Sequence, residues 1–135
     1  MSFDFKLTKG DLSIDSDGRI ETVFRSTKLK QDIIKILLTD LGENYYHSGY
    51  GSELGRLDMG TTADVSFATT EMESSARIAL NKIIQLQEYQ RKSQYLSPQE
   101  TIVRVKSIGV SRDLVDPRLW NIRISLITAS TEEIT

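Results

Sequence analysis

The sequence predicts an α+β fold, in which an N-terminal β-hairpin and two main helices pack on a small antiparallel sheet that ends in a C-terminal β-hairpin. Two observations carry this expectation. Apolar and polar residues alternate at both ends of the chain, at Phe3, Phe5 and Leu7 and again at Trp120, Ile122, Ile124 and Leu126. Between those ends the apolar spacing lengthens twice to the helical period.

Taken in order, Leu12 and Ile14, then Ile20, Thr22 and Phe24, extend the first alternating segment on either side of Asp15-Ser-Asp-Gly18. This reads as short strands with a hairpin at Asp17-Gly18, where glycine takes a positive φ cheaply. Ser26-Thr27 offers a capping hydroxyl, and Leu29, Ile33, Ile36, Leu37 and Leu41 share one helical face, so a first helix is expected over about 27–41. Gly42 is placed to stop it. Thr61 and Asp64 have capping-box-like spacing ahead of a longer helix, whose stripe is Ala68, Met72, Ala76, Ala79, Ile83 and Leu86. That helix should fade over 89–96, before Ser97-Pro98. Trp120 to Leu126 is the clearest strand, and its expected partner is Thr101 to Arg112. There Val103 and Val105 switch parity to Ile108 and Val110, and a bulge near Ser107 to Gly109 would return both pairs to one face. Asp113-Leu-Val-Asp-Pro-Arg118 supplies the turn. The expected organisation is a single domain over 1–128, with a β-rich segment at 1–25, a helix-helix-hairpin core at 26–128 and a flexible tail at 129–135.

A chain of 135 residues buries roughly two thirds of its unfolded surface and holds one core. Without cysteine it has no disulfide or thiolate metal site, and with one histidine a zinc or heme site is not expected. Lys and Arg total 17 against 19 acidic residues, so no global field draws the chain to nucleic acid or to an anionic membrane. The apolar runs are too short for a transmembrane helix or signal peptide, which predicts a protein soluble where it is made.

Candidate chemistry thins out on inspection. Asp15-Ser-Asp-Gly18 lacks the ligand spacing of a calcium loop. His47 has no nucleophile or orienting acid at a usable spacing. Glu43 and Asp58 invite a glycosidase pairing, yet no groove of aromatic residues flanked by carboxylates is legible. The glycines at 49/51 and 55/60 match neither a dinucleotide fingerprint nor a phosphate-binding loop. Lys28, Lys30 and Lys35 read as a solvated helix face diluted by Asp32 and Asp40, and Trp120 as packing under a helix or anchoring an interface. No cofactor, metal, small-molecule substrate, nucleic acid or membrane is expected.

One pattern remains. Gln31-Asp-Ile through Leu37-Leu-Thr39, then Gly42-Glu43, Tyr50-Gly-Ser-Glu-Leu54, a long helix and an Ile-Val-rich hairpin resemble the gene-25-like baseplate wedge family of contractile-tailed phages, which also includes the baseplate component of type VI secretion systems. The opening Gly10-Asp-Leu-Ser-Ile14 with Asp17-Gly18 is similar to a phage branch that carries an N-terminal hairpin before that core. The resemblance covers about residues 10–128. It departs at Asn44, where many members have arginine, and at Pro98-Gln-Glu-Thr101, where many have Glu-Pro-Arg.

The resemblance implies a virion structural protein without enzymatic activity, made in the host bacterial cytoplasm and placed in the tail baseplate. Its implied partners are other wedge proteins, the tail sheath protein, and tube or hub proteins. Gly42, Glu43, Tyr45, Tyr46, Tyr50, Gly51 and Leu54 are the motif and interface candidates, the tyrosines either covering the end of the first helix or projecting toward a partner. For strand addition by a sheath arm the candidates are Lys106, Ile108, Val110 and Arg112 on one strand and Asn121, Arg123 and Ser125 on the other. The alternatives are a tail-associated glycosidase acting through Glu43 and an unrelated cytosolic binding domain.

Overall fold

The computed structural model describes residues 3–54, 65–116, 119–130 and 133–134, and its fold is α+β as expected. Four two-residue strands open the chain: β1 (Asp4–Phe5), β2 (Leu7–Thr8), β3 (Asp11–Leu12) and β4 (Thr22–Val23). β1 pairs with β4 and β2 with β3, both antiparallel, while Ile14 bridges Ile20. These three arms meet where Lys6 N–H donates to Glu21 O, Glu21 N–H to Ser13 O and Ser13 N–H to Lys6 O. A closed ring of three backbone bonds results. The expected hairpin at Asp17-Gly18 is present, with Gly18 at φ 79° and Asp15 Oδ1 accepting from Asp17 N–H and Arg19 N–H. A second turn, at Lys9-Gly10, escaped the sequence reading. Both residues have positive φ, 53° and 86°, the requirement of the tightest hairpin turn.

Helix α1 (Arg25–Leu38) starts before Ser26-Thr27 and ends before Leu41. No side chain caps its start at Phe24, so the expected hydroxyl cap is not used. At the other end Thr39 N–H and Oγ1–H both donate to Lys35 O, and Ser52 Oγ–H takes Leu37 O. Free helix carbonyls are thereby satisfied by neighbours rather than by Gly42. The expected capping box at Thr61 and Asp64 lies outside the described residues.

Helix α2 (Val65–Arg91) lies against α1 and against the C-terminal sheet. The core joins Leu29, Ile33 and Ile36 of α1 to Ala76, Ala79, Leu80 and Ile83 of α2 and to Ile102, Ile108 and Leu126 of the sheet. Leu86, expected in the stripe, is exposed, while Leu80 and Gln87 are buried. A straight helix drifts about the axis over so many turns, which moves the buried stripe from position 86 to 87.

After a 3-10 turn at Pro98–Glu100 come β5 (Ile102–Arg112), β6 (Trp120–Thr128) and β7 (Glu133–Ile134), in the antiparallel order β5-β6-β7. The tail expected to be loose thus returns to the sheet, pairing Ile134 with Leu126 and Glu133 with Ile127. The single expected bulge is replaced by two, since the β5–β6 register skips Val103 and Lys106. Each extra residue inverts the parity of the strand beyond it. Ile102 and Ile108 are buried, Val105 and Val110 half-buried, and Val103 points to solvent.

Candidate functional site

Two surfaces hold the residues singled out by the sequence. The first is the edge of the C-terminal sheet. Ala129 N–H donates to Thr101 O across the Ile102–Thr128 pair, which makes that pair the widely spaced kind whose own N–H and C=O groups point outward. Both bulges lie on β5, so the alternation along β6 is unbroken. It turns the N–H groups of Leu126, Ile124 and Ile122 away from β5. β7 meets the first of these and, among the described residues, no strand pairs with Trp120 to Ser125 on that side.

The outward backbone groups of β6 that no strand meets among the described residues therefore belong to Trp120, Ile122 and Ile124. Those of Asn121, Arg123 and Ser125 face β5. The Asn121 and Arg123 side chains are exposed, whereas that of Ser125 is buried. On β5, the same alternation beyond the bulge turns Ile108, Val110 and Arg112 outward, while Lys106 is itself the bulged residue. The outer edge of β5 is already occupied where it begins. Gln87 Nε2–H donates to Glu100 O at 2.6 Å and Gln87 Oε1 accepts from Ile102 N–H at 3.0 Å. The side-chain amide thus takes the place of a neighbouring strand.

The distal hairpin is held in shape at its turn. Asp113 N–H donates to Leu119 O, and Asp113 Oδ1 accepts from Val115 and Asp116 N–H groups. Those two bonds hold the Asp113 carboxyl below its ordinary range. Leu114 and Val115 are left fully in water at the tip. Trp120 lies half-exposed at this end, opposite Arg112, whose guanidinium carbon sits 5.2 Å from the ring centroid. A concavity of about 660 Å³ crosses this part of the hairpin, lined by Gly109, Val110, Trp120, Ile122 and Arg123 among others.

The second surface is the loop after α1. Its base is closed by a parallel bridge between Asp40 and Ser52, with Leu41 N–H to Ser52 O and Ser52 N–H to Thr39 O. Gly51 sits in that closure at φ 123°, and a Cβ there would lie 2.7 Å from Thr39 O and 2.8 Å from Asp40 O. Only glycine fits. Gly42, at φ 91°, has open space around it and is constrained by conformation alone. Asn44 Oδ1 accepts from Tyr46 and His47 N–H groups, bracing the loop from within.

The three loop tyrosines differ in burial. Tyr50 is half-buried against the core, and burial raises its phenol above the ordinary range while the Lys35 charge opposes that. Tyr45 and Tyr46 stand out at 93% and 87% exposure, edge to face with centroids 5.4 Å apart. They do not cover the helix end. Tyr46, His47, Tyr50, Lys82, Leu86 and Tyr89 line most of an open groove of about 330 Å³ between the loop and α2. Glu43 is exposed at the start of the loop and Leu54 half-buried at its end, while Asp58 lies outside the described residues.

The lysines of α1 are not a uniform solvated face. Lys28 is buried and pairs with Asp32 at 2.7 Å, and Lys35 bonds Asp4 of the N-terminal unit. Among the residues that sequence reasoning missed, Gln87 and Ser52 matter most here. Their polarity gave no signal, because a glutamine or serine that satisfies backbone groups inside the fold reads like any surface residue. No protein-family model matches the chain, and no curated protein matches it in sequence.

Proposed function

We propose that this chain is a structural assembly subunit of the gene-25-like baseplate wedge kind, which receives a strand from a sheath protein on the outer edge of β6. The supporting observation is the line of outward N–H and C=O groups at Ile122 and Ile124. It continues a ladder that β7 has already begun at Leu126 and Ile127. A strand laid there would gain backbone hydrogen bonds for affinity, and its alternate side chains would set register. The β5 edge is the poorer template, because two bulges and the Gln87 amide interrupt it.

The exposed pair Tyr45 and Tyr46 supports a contact to a neighbouring wedge protein, since tyrosine joins a large apolar surface to a polar tip. Structural work of this sort involves no turnover. Proline at position 122 tests the mechanism, because it removes an outward N–H and leaves the β5 ladder whole. The Ile122→Pro chain should fold yet fail to support sheath assembly on the baseplate. Proline at 121 should instead break the hairpin itself. Normal sheath assembly with Ile122→Pro would refute strand addition at this edge. Lysis of cell-wall substrate by the purified protein, lost in Glu43→Gln, would replace the assembly reading with the glycosidase one.

A further inference from the structure

The outer edge of β6 presents two unlike rows of side chains to whatever lies beside it. Trp120, Ile122, Ile124 and Leu126 alternate onto the helix side, where Leu126 is buried and Ile122 and Ile124 pack half-buried against the core. Asn121, Arg123, Ser125 and Ile127 make up the outer row. Arg123 is exposed there, and the position opposite it on β5 is Gly109, with Ser107 and Ser111 on the diagonals. β5 holds no carboxylate, and among the described residues Arg123 has no ion pair.

β7 already lies on this edge and shows the pattern the edge accepts. Its register sets Ile134 in the helix-side row, opposite Leu126, and Glu133 in the outer row, opposite Ile127. Charge favours another strand of the same kind. Residues 101–128 carry five cations, Arg104, Lys106, Arg112, Arg118 and Arg123, against Asp113 and Asp116, a net of +3 in a chain whose total is −2. Asp113 is engaged by the Val115 and Asp116 N–H groups of the turn, so it leaves the arginines of the strands to an incoming acid.

We infer that the strand received at this edge, on the reading proposed above, carries an acidic residue opposite Arg123 and apolar residues opposite Ile122 and Ile124. It runs antiparallel to β6, in line with β7, and covers Trp120 to Ile124, a span typical of strands. The N–H groups of Ile122 and Ile124 point outward, so those residues form the hydrogen-bonded pairs and Arg123 the non-hydrogen-bonded one. In that kind of pair the Cα atoms approach to about 4.5 Å, and opposite charges attract where like charges repel. Backbone bonds are alike for any strand. Arg123 selects among strands by its charge.

Two acetylated and amidated peptides, Val-Glu-Val-Thr-Val and Val-Lys-Val-Thr-Val, test this on the intact chain by amide chemical shifts and by hydrogen exchange at Ile122 and Ile124. The glutamate peptide should bind roughly fivefold more tightly than the lysine one at low salt, and added salt should narrow the gap. Arg123→Glu should reverse the order and the milder Arg123→Gln should erase it, both with melting temperatures near the wild type. Ile122→Pro should lose both peptides. Equal affinities in the wild type, or an unchanged order in Arg123→Glu, overturn the selection by Arg123, while loss of both peptides in Ile122→Pro would still uphold strand addition. Binding that Ile122→Pro leaves intact lies elsewhere than the edge and overturns both. If neither peptide binds the wild type the inference falls, and strand addition is decided separately by sheath assembly with Ile122→Pro.

Discussion

The two ends of this chain alternate apolar and polar residues in the same way and use the pattern in opposite senses. In the C-terminal sheet Ile102, Ile108 and Leu126 turn inward onto α1 and α2. In the N-terminal unit Phe5, Leu7, Leu12, Ile14 and Ile20 turn outward, while Lys6, Ser13 and Glu21 meet one another on the far face. Periodicity tells which residues share a face but not where that face looks. Direction depends on what else is nearby: the C-terminal sheet finds two amphipathic helices, and among the described residues the N-terminal unit meets the polar side of α1 at Gln31 and Lys35.

Substitution at the two faces gives the sharpest separation. Leu80, fully buried between α1, α2 and the sheet, should lose about 3 kcal/mol as Leu80→Ala, from transfer plus the cavity left behind. Ile14→Ala on the outward face should change monomer stability by less than about 0.5 kcal/mol. Urea unfolding of both variants measures the difference, and equal losses would erase the distinction between the two ends.

Next in size is the loop closure. Gly51→Ala meets both a left-handed backbone and two carbonyl oxygens closer than 3.0 Å, and should cost about 2–3 kcal/mol. Gly42→Ala shares the backbone penalty without the clash and should cost about 1 kcal/mol. Thermal melts of the pair would show whether the Asp40–Ser52 closure is a rigid part of the core; a cost at 51 no greater than at 42 would argue that it is not.

Gln87→Leu keeps the volume of the side chain but strands Glu100 O and Ile102 N–H, and about 2 kcal/mol should be lost for the two unpaired groups. Hydrogen exchange should rise at Ile102 and stay unchanged at Arg123, whose N–H faces β5. This sharpens the contrast within the sheet, since the start of β5 depends on a side chain and β6 is paired by strands.

The smallest effect is the tie between the two regions. At Asp4, burial raises the carboxyl but the bonds from Lys35 and Phe5 N–H and the Lys35 charge outweigh it, so its value falls below 3.8. For Lys35, burial lowers the ammonium, yet the bond to Asp4 and the charges of Asp4 and Asp32 carry it above 10.5. A lowered acid contributes stability above its unfolded value and loses it as pH falls through the folded one, so this contribution disappears below about 3.8. A raised base contributes below its unfolded value and loses it as pH rises through the folded one, above about 10.5. Between those limits the dock is intact, and Asp4→Asn should cost less than about 1 kcal/mol for such a partly exposed pair. Amide exchange at Leu7, whose N–H is held by Gln31, reports whether the dock has opened.

The order of elements and most of the core were legible because they depend on local spacing. Leu29, Ile33 and Ile36 on α1 and Met72, Ala76, Ala79 and Ile83 on α2 were read correctly as buried. The hairpin strands and the Asp17-Gly18 turn followed from period two and the conformational freedom of glycine. Less of the candidate surface was readable. Tyr50-Gly51 stood out as a motif, yet the reason for Gly51 lies in Thr39 and Asp40, brought over it by the end of α1. Likewise, which β6 residues carry the outward N–H groups depends on the Ala129–Thr101 bond and the placement of both bulges.

By itself, then, the amino-acid sequence determined which segments become helix or strand and which side chains travel together on one face. These choices are made by backbone geometry and by neighbours a few residues away. Tertiary structure alone decided that the N-terminal apolar face looks outward, that β7 closes part of the β6 edge, and that Gln87 and Ser52 satisfy distant backbone groups. Each of those outcomes depends on contacts between residues far apart in sequence, and their polarity or periodicity is the same whether or not the contact exists.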